Sequence, residues 1–231
     1  MMEIARKLLR RLGFELIRYA PRNAPHLRRP LLLREEAINV VLDVGASDGS
    51  WARALRNAGY DGRIVSFEPL GKSARERDER WEWHRVALGS RHGRATLHVS
   101  ANCQSSSLLP MTEAHLLRAP KSTVVGSEEV EVARLDDLDV LRSGERAYLK
   151  LDVQGMELEV LRGAAGTLGS TRVVEAELSA IELYDGQALI EQVIEHLRGS
   201  GFRPIGLETS FRDRRTGDLL QMNGFFRRGN A

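Results

Sequence analysis

The sequence predicts an open α/β sheet of about seven strands with an antiparallel edge. Three observations carry this. Short, almost continuous apolar runs alternate with helical segments, as parallel strands covered on both faces require. The strand–helix alternation is interrupted once by β-rich sequence and then resumes. The chain ends on two strands joined by the polar turn Asp213-Arg214-Arg215-Thr216-Gly217-Asp218, which makes the last pair a hairpin.

Residues 3–19 read as an amphipathic helix. Ile4, Leu8, Leu9, Leu12, Leu16 and Tyr19 recur near helical spacing, and Arg6, Lys7, Arg10, Arg11 and Arg18 cover much of the rest. Such a helix either packs on the domain with its arginines in water or makes peripheral contact with an anionic membrane surface. Pro21, Pro25 and Pro30 mark a linker or flap. Residues 1–30 are therefore expected to form an N-terminal helix and proline-rich linker, and residues 31–231 the main domain.

Asn39-Val40-Val41-Leu42-Asp43-Val44 is the first strand of that domain. Residues 50–58 form a helix stopped by Gly59, residues 63–67 a second strand, residues 73–80 an exposed charged helix, and residues 83–88 a third strand. Residues 95–100 and 130–135 alternate as strands of a β-hairpin insertion, with a long loop and one short helix at 102–126 between them. Strands then follow at 147–152, 172–178, 202–207 and 219–226, with helices at 156–165 and 187–198.

Composition narrows the function. Of 231 residues, 42% are hydrophobic and 29% charged, so the chain is neither disordered nor a membrane bundle. Lys plus Arg is 34 and Asp plus Glu is 32; a net charge of +2 excludes a nucleic-acid binder that works by bulk charge. One cysteine, Cys103, excludes an internal disulfide framework and a cysteine zinc cage. No run approaches the roughly 20 apolar residues that span a bilayer. Arg10, Arg11, Glu15 and Arg18 interrupt any signal-peptide core, so a cytoplasmic location is the default expectation.

The strongest local signal is Asp43-Val44-Gly45-Ala46-Ser47-Asp48-Gly49, a strand running into a glycine-bearing loop ahead of a helix. Ligands of open α/β sheets bind at such strand ends. Gly45 allows a sharp turn and close approach of a ligand to backbone. Glu68, at the end of the second strand, can accept hydrogen bonds from two adjacent ribose hydroxyls. The G-x-x-x-G spacing differs from the G-x-G-x-x-G of dinucleotide sites, and there is no phosphate-binding G-x-x-x-x-G-K-[ST] loop. An anionic Asp43 repels phosphate and attracts an ammonium group. S-adenosylmethionine offers an amino acid end, a ribose and an adenine, but no phosphate. Asp43 has a structural alternative, bracing the turn.

The sequence resembles the FkbM family of S-adenosylmethionine-dependent methyltransferases from about residue 40 to residue 227. The matching pieces occur in the family's order: Leu42-Asp43-Val44-Gly45-Ala46-Ser47-Asp48-Gly49, Phe67-Glu68-Pro69, Ala87-Leu88-Gly89, Ser105-Ser106-Ser107-Leu108, Arg134-Leu135-Asp136-Asp137-Leu138, Leu149-Lys150-Leu151-Asp152-Val153-Gln154-Gly155-Met156-Glu157, and Phe225-Phe226. Gln154 departs from the glutamate many relatives carry. The resemblance implies a class I methyltransferase fold and O-methylation of a hydroxyl, often on a sugar or a secondary metabolite. It implies that Asp43, Gly45 and Ala46 contact the methionine end and ribose of the cofactor, that Glu68 holds the ribose diol, that Val86 and Ala87 flank adenine, and that Ser105, Ser106 and Ser107 lie over the cofactor.

A hydroxyl is a poor nucleophile, so a general base is expected. Asp152, at the end of its strand, is favoured; Glu177 is second, although Glu175 is an equally available acid on the same strand face. His26 and His115 lie on flanking segments. Asp152 and Glu177 could instead share a divalent metal, though none is predicted. The six histidines show no metal-ligand spacing. Asp136 and Asp137 read as helix-starting or sheet-bracing acids. On the resemblance, the acceptor is expected to be a hydroxyl of a sugar, glycolipid or natural product. Rival readings are an N-methyltransferase, a nicotinamide oxidoreductase and a non-catalytic nucleotide-binding module.

Overall fold

A computed structural model describes residues 2–14, 16, 25–71 and 79–229. Helices α1 (Met2–Arg11) and α2 (Pro25–Glu35) precede β1 (Val40–Val44), α3 (Ser50–Asn57), β2 (Arg63–Phe67), β3 (Trp81–His84), β4 (Ala87–Leu88), β5 (Gly93–Ser100), α4 (Glu113–Arg118) and β6 (Val124–Ala133). The chain continues through β7 (Ala147–Leu151), α5 (Glu157–Arg162), α6 (Ala165–Ser170), β8 (Thr171–Ser179), α7 (Ile190–Gly199), β9 (Phe202–Arg212) and β10 (Leu219–Arg228).

Seven strands form one sheet in the order β3-β2-β1-β7-β8-β10-β9, and β4-β6-β5 form a smaller second sheet. The pairs from β3 to β8 are parallel, while β10 is antiparallel to both β8 and β9. The expected mostly parallel seven-stranded sheet with an antiparallel edge is thus present. β1, β2 and β7 are buried along their whole length, which is why their sequences read as continuous apolar runs.

Three expectations need correction. Residues 83–88 are not one strand. β3 leaves the large sheet at His84, whose carbonyl accepts from Glu68 N, and β4 joins the small sheet, where Gly89 N donates to the Ala133 carbonyl. The proline-rich segment is helical from Pro25 and crosses the boundary expected at residue 30. Pro25 opens the helix, where no donor is needed, and tertiary contacts hold the turn containing Pro30. Helix α1 ends at Arg11 rather than at residue 19. Residues 15 and 17–19 of that expected helix, and residues 73–78 of the expected charged helix, lie outside the described residues.

Those contacts of α2 are specific. Leu32 and Leu33 are buried against the sheet. Arg29 donates from Nε to both carboxylate oxygens of Glu175 on β8, at 3.0 and 2.8 Å, and Tyr148 on β7 donates its hydroxyl to Glu175 at 2.6 Å. Burial works against the Arg29 charge, but Glu175 outweighs it and holds the guanidinium above its ordinary value.

Glu175 belongs to a buried polar row. In register across four strands, Ser66 on β2 lies beside Asp43 on β1, Asp43 beside Lys150 on β7, and Lys150 beside Glu175. Trp81 Nε1 donates to Ser66 Oγ at 2.9 Å, and Lys150 Nζ lies 3.0 Å from Asp43 Oδ1. Buried charges persist only when paired and hydrogen-bonded, so this row requires every member.

Replacing Glu175 with alanine strands the Arg29 guanidinium and the Tyr148 hydroxyl. The variant is expected to lose about 3 kcal/mol of stability, read by denaturant unfolding. A loss within the range of an ordinary surface substitution would show that α2 is not held this way.

Candidate active site

The site lies where β1 stands between β2 and β7, at the carboxyl ends of the strands. A cavity of about 620 Å³ opens there. Of the residues expected at a ligand site, Gly45, Ala46, Glu68, Val86, Ala87, Ser106, Asp152 and Glu177 all line it, as does His115. The His26 side chain lies outside the described residues.

Asp43 differs from the expectation of direct ligand contact. Its side chain is fully buried and does not line the cavity. It pairs with Lys150 instead, and it is Lys150 that bonds the glycine loop. Lys150 Nζ also donates to the carbonyl of Gly45 at 2.9 Å and lies 3.9 Å from Asp152 Oδ2. Burial disfavours the Lys150 charge, but Asp43 and then Asp152 outweigh burial and hold the ammonium above its ordinary value.

The loop after β1 uses its own donors. Gly45 N and Ala46 N both donate to the Phe67 carbonyl, at 3.0 and 3.1 Å, and Gly49 N donates to the Ala46 carbonyl at 2.8 Å. Ser47 N donates to Glu68 Oε2 at 2.9 Å, and Ser50 N to Asp48 Oδ1 at 2.9 Å. The amides of Gly45, Ala46, Ser47, Gly49 and Ser50 are therefore already paired, which leaves this glycine loop little to offer a pyrophosphate. Gly45 has φ +73°, and a Cβ there would lie 1.9 Å from the carbonyl oxygen of Asp152. Only glycine lets the loop pack this closely on the end of β7.

Each oxygen of Glu68 accepts one backbone amide, from Ser47 and from Leu70 (3.0 Å). Carboxylate oxygens have further lone pairs, and these are the ones available to a ligand in the cavity. Burial pushes the Glu68 carboxyl up, against the pull of those two amides. Ser106 is spent locally: its hydroxyl accepts from Ser100 N at 3.1 Å and donates to the Cys103 carbonyl at 2.9 Å, which shapes the loop over the cavity.

At the other end of the cavity Gln154 joins the two candidate bases. Its amide nitrogen donates to Asp152 Oδ1 at 2.7 Å and to Glu177 Oε2 at 2.8 Å, while its oxygen accepts from the Tyr184 hydroxyl at 2.7 Å. Gln221 adds a second donor to Glu177 Oε2, at 2.9 Å. Gln154 adopts φ +53° and Gly155 φ +101°, a left-handed turn that costs a non-glycine residue about 1 kcal/mol. Burial raises the Glu177 carboxyl well above the ordinary range, and the charges of Asp152 and Glu157 raise it further. Phe211 and His115 line the same end. Burial lowers the His115 ring below its ordinary value and favours the neutral form. Among the described residues no group of three or more His, Cys, Asp or Glu is placed to hold a metal ion.

Glu175 and Glu177 share a strand face, as expected, yet differ in setting. Glu175 is spent on Arg29 and Tyr148, and Glu177 faces the cavity. Asp136 caps α6, accepting from Gly166 N at 2.9 Å and Thr167 N at 2.8 Å. Sequence reasoning missed Lys150 and Gln221 and left Gln154 without a role. The period-two spacing of Tyr148, Lys150 and Asp152 was the available signal for Lys150, since it puts all three on one strand face.

Comparison with known proteins gives the following matches. A family model described as the methyltransferase FkbM domain matches residues 43–204. The 2-O-methyltransferase NoeI of Sinorhizobium fredii (strain NBRC 101917 / NGR234) is 31% identical over 183 residues, which is 74% of this chain and 75% of that protein. Among solved structures, a methyltransferase FkbM from Methylobacillus flagellatus KT aligns at 14% identity and TM-score 0.46, over 81% of this chain and 43% of that one. Magnesium protoporphyrin IX methyltransferase (ChlM) from Synechocystis PCC 6803, with bound SAM, aligns at 12% identity and TM-score 0.47, over 87% and 76%.

Glu157 anchors the turn that carries Gln154, accepting from Val153 N at 3.0 Å and Gly155 N at 3.1 Å. Burial pushes its carboxyl from 4.5 up to about 7. A raised acid contributes stability that is complete below its unfolded value and is lost as pH rises through the folded one. Relative to Glu157→Gln, whose amide does not ionise, the wild-type unfolding free energy should therefore be most favourable at acid pH and fall as pH rises from about 4.5 toward about 7, levelling off above that. A difference independent of pH would contradict the assignment.

Proposed function

The chain belongs to the FkbM methyltransferase family, and on that premise we propose that it is an S-adenosylmethionine-dependent O-methyltransferase acting on a hydroxyl of a sugar, glycolipid or natural product. The observation that carries the cofactor is the glycine loop. The amides of Gly45, Ala46, Ser47, Gly49 and Ser50 are paired within the chain, which disfavours a pyrophosphate cradle built on them. The neighbouring Glu68 keeps lone pairs for a ribose diol.

When bound, S-adenosylmethionine supplies a methyl group already activated by a positively charged sulfur. The chain's own residues bind and align. Gly45 and Ala46 would line the methionine end, Glu68 would accept the two ribose hydroxyls, and Val86 and Ala87 would flank the adenine with apolar surface. Holding two reactants in line accounts for much of the rate in such a transfer.

The acceptor end favours a hydroxylated molecule. Asp152, Glu177, Gln154 and Gln221 offer acceptors and donors in a cavity that Phe211 also lines. The 2-O-methyltransferase activity in the name of the Sinorhizobium relative is consistent with an oxygen acceptor. Asp152 and Glu177 are bridged by one amide, so the proton of the acceptor hydroxyl is taken by the pair rather than by one isolated carboxylate. A carboxyl raised toward the working pH is the better proton acceptor, which gives Glu177 the larger share.

Calorimetry with S-adenosylhomocysteine tests the cofactor assignment. Wild type should bind, and Glu68→Ala should weaken binding about 100-fold or more, the value of two hydrogen bonds to a charged group. No binding, or undiminished binding by the variant, contradicts it. Methyl transfer to a panel of deoxysugars and polyketide alcohols tests the chemistry. The base must be unprotonated, so kcat/KM should rise with pH through a limb above the ordinary carboxylate range. Glu177→Gln should lower kcat about 100-fold or more and lose that limb.

A further inference from the structure

We infer that α1 is a docking helix for an anionic membrane surface. This rests on observations separate from the reading of the active site.

At 3.6 residues per turn, Ile4, Ala5, Leu8 and Leu9 share one side of α1, and Leu12 follows just past its end. Arg6, Lys7, Arg10 and Arg11 share the other, with Glu3 as the one acid. An apolar stripe this clean normally faces a core. Here most of it faces solvent: Ile4 is 75% exposed, Leu8 60% and Leu12 65%, with Leu9 half-buried, and Phe14 just beyond the helix is 66% exposed. Scattered exposed leucines need no explanation, but a contiguous exposed apolar surface marks an interaction site.

The charge pattern selects the partner. Four basic residues flank the stripe within a ten-residue helix whose only acid is Glu3. A helix laid in the interface of a bilayer buries its apolar side and extends Lys and Arg up to the anionic headgroups. A second copy of this chain would bring like charges together along the same helix. Among the described residues no helix is long and apolar enough to cross a membrane, so the contact is with the surface. The helix would hold the methyltransferase domain beside a membrane, where a lipid-borne hydroxyl is at high local concentration.

Sedimentation of the full chain with lipid vesicles decides it. Wild type should bind vesicles rich in phosphatidylglycerol, bind pure phosphatidylcholine weakly, and release as salt is raised. Arg6→Glu with Lys7→Glu should lower partitioning about 20-fold or more, since each basic residue is worth about fivefold at such a surface. Leu8→Ser with Leu12→Ser should lower it about tenfold or more. Both variants should keep the wild-type Tm, because the altered side chains stand in water. Absence of wild-type binding, or binding unchanged by the leucine substitutions, overturns the proposal. A fall in Tm for the leucine variant would show that the stripe packs on its own domain, and a dimer lost in that variant without vesicle binding would assign it to a second copy. Either result also overturns the proposal. S-adenosylhomocysteine binding is measured separately, so failure of one proposal leaves the other standing.

Discussion

One ammonium group organises the site. Lys150 projects from β7 into a buried position at the cavity floor, where the Asp43 carboxylate at 3.0 Å and the Gly45 carbonyl at 2.9 Å flank its ammonium. A buried charge without such partners would be prohibitively unstable. The pairing therefore determines where β7 ends relative to β1. It brings the Gly45 loop down onto the Asp152 carbonyl, a contact so close that no side chain fits between. It also leaves Asp152 Oδ2 within 3.9 Å of the same ammonium. The loop that would hold a cofactor and the carboxylate that would face an acceptor are thus tied to a single cation.

The surrounding polar groups follow from that arrangement. With Lys150 beside it, Asp43 turns away from the cavity and accepts from Ser66, which in turn accepts from Trp81. On the other side Glu175 carries the polar row to Arg29 and so fastens α2 across the sheet. Beyond Asp152, Gln154 supplies donors to two carboxylates that would otherwise repel each other at the cavity's far end. The left-handed turn at Gln154 and Gly155 is the strain accepted to aim that amide.

The outline of the site is legible in the sequence. The apolar run at 40–44, the glycines at 45 and 49 and the acid at 68 carry their meaning locally, because a turn requiring positive φ and a carboxylate at a strand end leave marks within a few residues. What was not readable depends on register. Asp43 and Lys150 are more than a hundred residues apart, and nothing local says that they lie side by side; Asp43 therefore read as a ligand contact. Gln154 read as a lost charge, since the value of an amide there depends on two carboxylates brought from different strands. The split between β3 and β4 was hidden because only Arg85 and Val86 separate them, and which sheet each joins is set by distant partners. The helix through Pro25 and Pro30 was hidden because its stability comes from Arg29, Leu32 and Leu33 meeting the sheet, and local propensity argues against it.

A double-mutant cycle on Asp43 and Lys150 is the most direct measurement, with unfolding free energy and S-adenosylhomocysteine affinity read for Asp43→Asn, Lys150→Met and both together. If the ammonium organises the site, Lys150→Met alone costs about 3–5 kcal/mol and weakens affinity about tenfold or more, and the double variant costs clearly less than the sum of the two singles. Additive stability costs with wild-type affinity in Lys150→Met would contradict the account.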